Sequence, residues 1–236
     1  MNEADLIGKS SLDVIQNLFY YRWSFDSNGK IVYPRIKGLT FVYYDIEKPM
    51  RVEDSYIHLN VVDGTLLNCL EFIEKEKSRG IGLTSRVQLG EPYSEEERKF
   101  AHIPMVDLDL VGTFDFIDSD EELLALIKDQ IKRKTRLENG VILESSQRNY
   151  YFMGTDKLFC DEDFVSFLGA CLTMKYEDLD GRDINLADSR QIGHALTPMA
   201  YMEEFNIYDF VERFSTLRVN SRNDGEGLPR VVDILE

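Results

Sequence analysis

The stretch His102-Ile103-Pro104-Met105-Val106-Asp107-Leu108-Asp109-Leu110 sets two carboxylates two residues apart inside an apolar run. In an extended strand residues i and i+2 share a face. Asp107 and Asp109 are therefore expected side by side, with Val106, Leu108 and Leu110 on the opposite face. Adjacent carboxylates repel unless solvent or a cation relieves them. A divalent ion such as Mg²⁺ or Mn²⁺ does so through oxygen ligands and bridges to substrate phosphates. A solvated strand end turning into the loop 112–118 fits the same residues.

Two further segments carry polar groups of the kind that recognise anions. Glu144-Ser145-Ser146-Gln147-Arg148-Asn149-Tyr150-Tyr151-Phe152-Met153-Gly154 reads as a polar, cationic turn between two strands. It offers hydroxyl, guanidinium and backbone N–H groups to a phosphate, and it equally suits a plain hairpin. Asp188-Ser189-Arg190-Gln191-Ile192-Gly193-His194 holds a carboxylate two residues from an arginine, a spacing that usually makes a local ion pair. Arg218, Asn220 and Arg222 alternate in a strand pattern and so share one face. That face suits an anion or plain solvent. No Cys–His or Ser–His spacing identifies a nucleophile, and neither a P-loop nor a dinucleotide-binding glycine fingerprint occurs.

The elements that must position these residues are legible from periodicity. Helices are expected at 11–20, 65–79, 119–136, 161–174 and 201–213. Ser119 caps the third of these, acids fill its first turn and bases its last, in keeping with the helix dipole. Strands are expected at 40–46, 56–62, 81–89, 103–110, 141–144, 150–153 and 214–219. Helices and strands alternate irregularly, with hairpins as well as crossovers. The expected class is α+β, a mixed β-sheet with flanking helices in one continuous domain. Residues 1–80 form its N-terminal α/β part, 81–222 its core, and 223–236 a polar C-terminal tail.

Composition sets limits on partners. The 236 residues carry 27 Lys and Arg against 43 Asp and Glu, a formal net charge of −16. Residues 1–100 hold 13 basic and 16 acidic side chains, residues 101–236 hold 14 and 27, so the excess lies in the second half. Bulk charge therefore does not hold nucleic acid, which needs a basic surface; the chain alone is expected to grip it weakly, with a protein partner supplying the rest. No apolar run reaches the roughly 20 residues that span a bilayer, and no membrane role is expected. The polar, acidic start and three cysteines without CxxC spacing (Cys69, Cys160, Cys171) point to the cytoplasm and to buried thiols.

Taken in order, the segments resemble the archaeo-eukaryotic primase–polymerase superfamily, in particular its bacterial primase-like branch. Val106-Asp107-Leu108-Asp109 matches the family's Asp-x-Asp/Glu strand. The stretch 145–154 with the helix 161–172 is similar to its second motif, 188–194 to its third, and Leu217-Arg218-Val219-Asn220-Ser221 to its arginine strand. The resemblance spans roughly residues 81–222. It implies a primase–polymerase-like catalytic core and a metal-dependent nucleotidyltransferase acting in bacterial or phage DNA replication or repair. Asp107, Asp109 and Asp188 would be catalytic and would bind Mg²⁺ or Mn²⁺. Ser146, Arg148, Tyr151, Arg190 and Arg218 would hold the nucleoside triphosphate. Tyr151 stands where the family has a histidine, which motivates an alternative: a catalytically degenerate primase-like fold serving as a nucleotide-binding or protein-interaction module. An unrelated metal-dependent nuclease also uses clustered aspartates.

Overall fold

The computed structural model describes residues 3–20, 36, 38–44, 56–59, 65–76, 80–89, 100–110, 117, 119–178, 180–196, 216–220 and 227–236. After a 3₁₀ turn at Glu3–Leu6 the elements are α1 (Ser11–Tyr20), β1 (Gly38–Tyr44), β2 (Tyr56–Leu59) and α2 (Thr65–Lys75). Then come β3 (Gly80–Gln88), β4 (Phe100–His102), β5 (Met105–Asp109), α3 (Asp120–Thr135), β6 (Gly140–Ser146) and β7 (Asn149–Gly154). The chain continues through α4 (Asp161–Cys171), β8 (Lys175–Glu177), β9 (Asp183–Asn185), α5 (Ser189–Leu196), β10 (Thr216–Arg218) and β11 (Arg230–Leu235). The expected helix 201–213 lies outside the described residues.

The class is α+β. One sheet has the order β10-β3-β1-β2, with β4 also on β3; a second has the order β11-β6-β7-β5; β8 and β9 make a separate hairpin. Every ladder among the described strands is antiparallel. The expected mixing survives only as direction: β5 and β6, joined through α3, run the same way and are split by β7, which is antiparallel to both. A crossover helix thus brings β6 back parallel to β5, while the tight turn into β7 fills the gap between them.

Alternation along the four-stranded sheet separates two cores. Val106, Leu108, Ile142, Tyr150 and Phe152 face one way and pack with Leu123, Ile127 and Ile131 of α3, Phe164 and Leu168 of α4, and Ile192 of α5. Met105, Val141, Leu143, Tyr151 and Met153 face the other way and join Ile15 and Phe19 of α1, Leu66 and Ile73 of α2, and Phe41, Leu83 and Leu217 of the five-stranded sheet. The period of two in the strands and the helical period of 3.6 each supply one apolar surface.

The five-stranded sheet takes β1 and β2 from before residue 80 and β3, β4 and β10 from Gly80 onward. One boundary differs from expectation. The segment read as a polar tail, 223–236, supplies β11, whose Val231 and Leu235 are buried in opposite cores. A register shift between Val231 and Asp233 lets Asp233 stay outside and pair with Lys128 at 2.7 Å. That interruption hides the strand's alternation. Of the cysteines, Cys69 and Cys171 are buried, whereas Cys160 is exposed at the start of α4. No described helix is long and apolar enough to cross a membrane.

Candidate functional site

Asp107 lies on β5, an edge strand, in register with Tyr151 of β7, which in turn pairs with Leu143 of β6. The row therefore sets one carboxylate on the sheet face otherwise filled by the core of Met105, Leu143 and Tyr151, half-buried, with Oδ1 shut off from solvent. Asp109 pairs with Asn149 one step further along the same ladder; its side chain lies outside the described residues.

The third acidic residue arrives from a distant part of the sequence. The Asp188 N–H donates to the Asp107 carbonyl at 2.9 Å, and the Asp107 N–H donates to Gln191 Oε1 at 3.0 Å. These two bonds dock the start of α5 along the open edge of β5. Asp188 is also the N-cap of α5: its Oδ1 accepts from the N–H groups of Arg190 (2.8 Å) and Gln191 (3.4 Å), while its carbonyl accepts from Ile192 (3.1 Å). The Arg190 guanidinium closes on both carboxylate oxygens, Nε to Oδ1 and Nη2 to Oδ2, each at 3.2 Å. Burial alone would push the Asp188 carboxyl up. The hydrogen bonds and charge of Arg190 override it and hold the carboxyl below its ordinary value. The local ion pair that the sequence spacing suggests is thus formed.

The β6–β7 hairpin places its polar residues less evenly. Ser146 pairs with Asn149 at the tip. Arg148 occupies the left-handed region, φ 57°, and turns its guanidinium to α3: Nε donates to Asp120 Oδ1 at 2.9 Å and Nη2 to the Ile117 carbonyl at 2.7 Å. Its backbone N–H donates to Glu144 Oε1 at 3.1 Å. Expected as a phosphate ligand, Arg148 is engaged in tying the hairpin to the helix. Tyr151 is a core residue, 5% exposed.

Strand β10 joins the arrangement from the other sheet: it pairs with β3, Arg218 opposite Gly82, and packs against β5. The Arg218 Nε is buried and finds no hydrogen-bond partner among the described residues. Asn220, expected to share its face, instead accepts from the Ile81 N–H at 2.8 Å and donates to the Glu76 carbonyl at 3.2 Å. It fastens β3 to the end of α2. Arg222 and the side chain of His194 lie outside the described residues.

Asp107 and Asp188 therefore stand on adjoining backbone, with Tyr151 beside one and Arg190 on the other. Two carboxylates and no sulfur form a hard donor set of the kind that Mg²⁺ and Mn²⁺ take. Among the described residues no group of three or more metal-ligating side chains converges. Gln191, which anchors α5 to β5, carries no sequence signal of its own beyond lying within the segment 188–194. Nor does sequence spacing reveal a second cluster. His102 is buried and stacked on Phe164 with ring centroids 4.3 Å apart. Its Nδ1 is 3.1 Å from Ser85 Oγ and its Nε2 3.1 Å from Asp161 Oδ1. Ser85 is wholly buried, which closes it to substrates. Comparison with protein-family models, curated proteins and solved structures finds no match for this chain.

Proposed function

We propose that the chain is a metal-dependent nucleotidyltransferase of the primase–polymerase type, adding nucleotides to a nucleic-acid primer. The observation that carries the proposal is the 2.9 Å bond from the Asp188 N–H to the Asp107 carbonyl, which joins two acidic motifs far apart in sequence. Asp107, Asp109 and Asp188 would hold Mg²⁺ or Mn²⁺, which lowers the barrier to in-line phosphoryl transfer by stabilising the developing charge. A 3′-hydroxyl attacks the nucleotide's α-phosphate and pyrophosphate leaves. Ser146, Arg190 and Arg218 would bind the triphosphate, Arg218 through a buried Nε that has no partner among the described residues, while Tyr151, expected among these ligands, is 5% exposed and packs in the core beside Asp107. Arg148 takes no part, because Asp120 and the Ile117 carbonyl hold it. A net charge of −16 assigns template grip to a protein partner, within the cytoplasm.

The decisive experiment is a calorimetric titration with a nucleoside triphosphate, with and without Mn²⁺, on the wild type and on Asp107→Ala/Asp109→Ala. Metal-dependent binding that disappears in the double variant supports the site. A wild type that binds no nucleotide refutes it.

A second reading has its own observation. Tyr151 is buried in the core at the position where a phosphate-binding histidine would stand, and Arg148 is engaged elsewhere. Both favour a degenerate primase-like module that binds nucleotide or protein without turnover. It requires a stable complex with another protein and no incorporation of labelled nucleotide.

A further inference from the structure

We propose that His102 is an acid-sensitive joint between the two sheets, whose protonation opens β4 and the first turn of α4 while the β6–β7 hairpin stays closed.

The chain changes sheets at this residue. Up to His102 it pairs with β3 of the five-stranded sheet, and the Ile103 N–H still donates to the Ser85 carbonyl at 2.7 Å. One residue later the Pro104 carbonyl accepts from the Gly154 N–H of β7 at 2.7 Å, and β5 continues in the other sheet. His102 also holds the approach to α4. Its N–H and carbonyl exchange bonds of 2.8 Å with Phe159, and its ring lies flat on Phe164. Cys160, the N-cap of α4, makes no side-chain cap bond. The first turn therefore leans on the Nε2–Asp161 contact and the stacked ring in place of a cap.

The surroundings of the ring favour its neutral form. β3 and α4 pack on β4; β3 sets Ser85 and Arg86 near the ring, and α4 sets Asp161. In the imidazolium both nitrogens donate. Nδ1 then ceases to accept, so the Ser85 hydroxyl proton must turn away within a wholly buried site. The Arg86 guanidinium repels the new charge, and burial withholds water from it. Asp161 pulls the other way, but its side chain is 76% exposed and solvent screens the attraction. Asp161 also lines a surface cavity of about 340 Å³ with Arg86, Phe100, Cys160 and Glu162, which brings water to the Nε2 side. Leaving the slot hydrates the charged ring. None of the bonds made by His102 belongs to the β6–β7 ladder, so the opening is local.

The test follows backbone hydrogen exchange of the full chain at pH 7 and pH 5, each rate corrected for the intrinsic pH dependence of exchange. A free histidine titrates at about 6.5, so protection of the Ile103, Phe159 and Phe164 amides is expected to fall about tenfold or more at pH 5, relative to Phe152 and Met153 of β7. His102→Phe, which keeps a ring on Phe164, is expected to show no such differential loss. Asp161→Asn keeps an acceptor for Nε2 and removes the charge that favours the imidazolium in place. It is expected to deepen the differential loss, which provides the test where His102→Phe does not fold. Equal protection at both pH values in the wild type, or a loss shared equally by β7, overturns the joint. So does a differential loss that persists in His102→Phe, or one that Asp161→Asn leaves unchanged or relieves.

Discussion

Tyr151 and Asp107 face each other across the β5–β7 ladder. A neutral phenol stands beside the carboxylate that anchors the candidate site, and it does so from within the core. The phenol supplies packing and one hydroxyl, whereas an imidazolium at the same position supplies a charge-assisted donor to phosphate. Tyr151→His is therefore expected to tighten Mn²⁺-dependent nucleotide binding by roughly tenfold or more, the worth of one hydrogen bond to a charged group. The smaller ring also costs about 1–3 kcal/mol of stability. Calorimetry and urea denaturation read the two effects separately. Unchanged nucleotide binding in a folded variant would favour the interaction-module reading.

Arg148 has a structural assignment that can be separated from phosphate binding. Losing its bonds to Asp120 and the Ile117 carbonyl in Arg148→Ala is expected to destabilise the chain by about 1–2 kcal/mol. Because φ is 57°, Arg148→Gly is expected to recover about 1 kcal/mol of that loss, glycine being at ease in the left-handed region. Neither change should weaken nucleotide binding. A large loss of nucleotide affinity in both would return Arg148 to the site.

His102 gives the fold a pH dependence of defined sign. The Asp161 carboxylate only accepts, so the Nε2–H of the neutral ring donates to it and Nδ1 accepts from the Ser85 hydroxyl. Burial lowers the His102 pKa against the pull of Asp161, and the nearby Arg86 guanidinium lowers it further. The unfolded chain then takes up the proton first. Stability contributed by the neutral ring is complete above about pH 6.5 and falls as the pH drops through the lowered folded value. His102→Phe keeps a ring against Phe164 and removes the titration. Its stability between pH 7 and 5 is expected to be flatter than that of the wild type, though about 1–3 kcal/mol lower at pH 7. An identical pH slope would disprove the assignment. Asp188, held below its ordinary value, loses its contribution only below about pH 4, outside that window.

Gly140 controls the closeness of β6 and β7. A Cβ there would collide with the Phe152 ring and stand 2.9 Å from the Met153 carbonyl. Gly140→Ala is expected to cost about 1–3 kcal/mol, since a packed ring and a ladder carbonyl must both shift. Chemical denaturation at constant m-value is the measurement, and a neutral result would mean that the strands separate without cost.

The sequence by itself determined the local order of this protein. The cap and left-handed stop of α3 are formed at Ser119 and Arg136, the residues that bound the expected helix. The period of two around Asp107 places Val106 and Leu108 in one core, and the two-residue spacing of Asp188 and Arg190 gives the ion pair. Each of these depends on residues within about one helical turn or one strand, where propensity and spacing act directly. Tertiary structure alone decided the rest. It set Asp188 against Asp107 because α5 docks on the open edge of β5. It turned Arg148 to Asp120 because the hairpin tip meets the start of α3, and it drew 230–235 into an edge strand because Val231 and Leu235 had opposite cores to enter. Those outcomes depend on which apolar faces meet and in what register, and neither periodicity nor spacing along one segment carries that information.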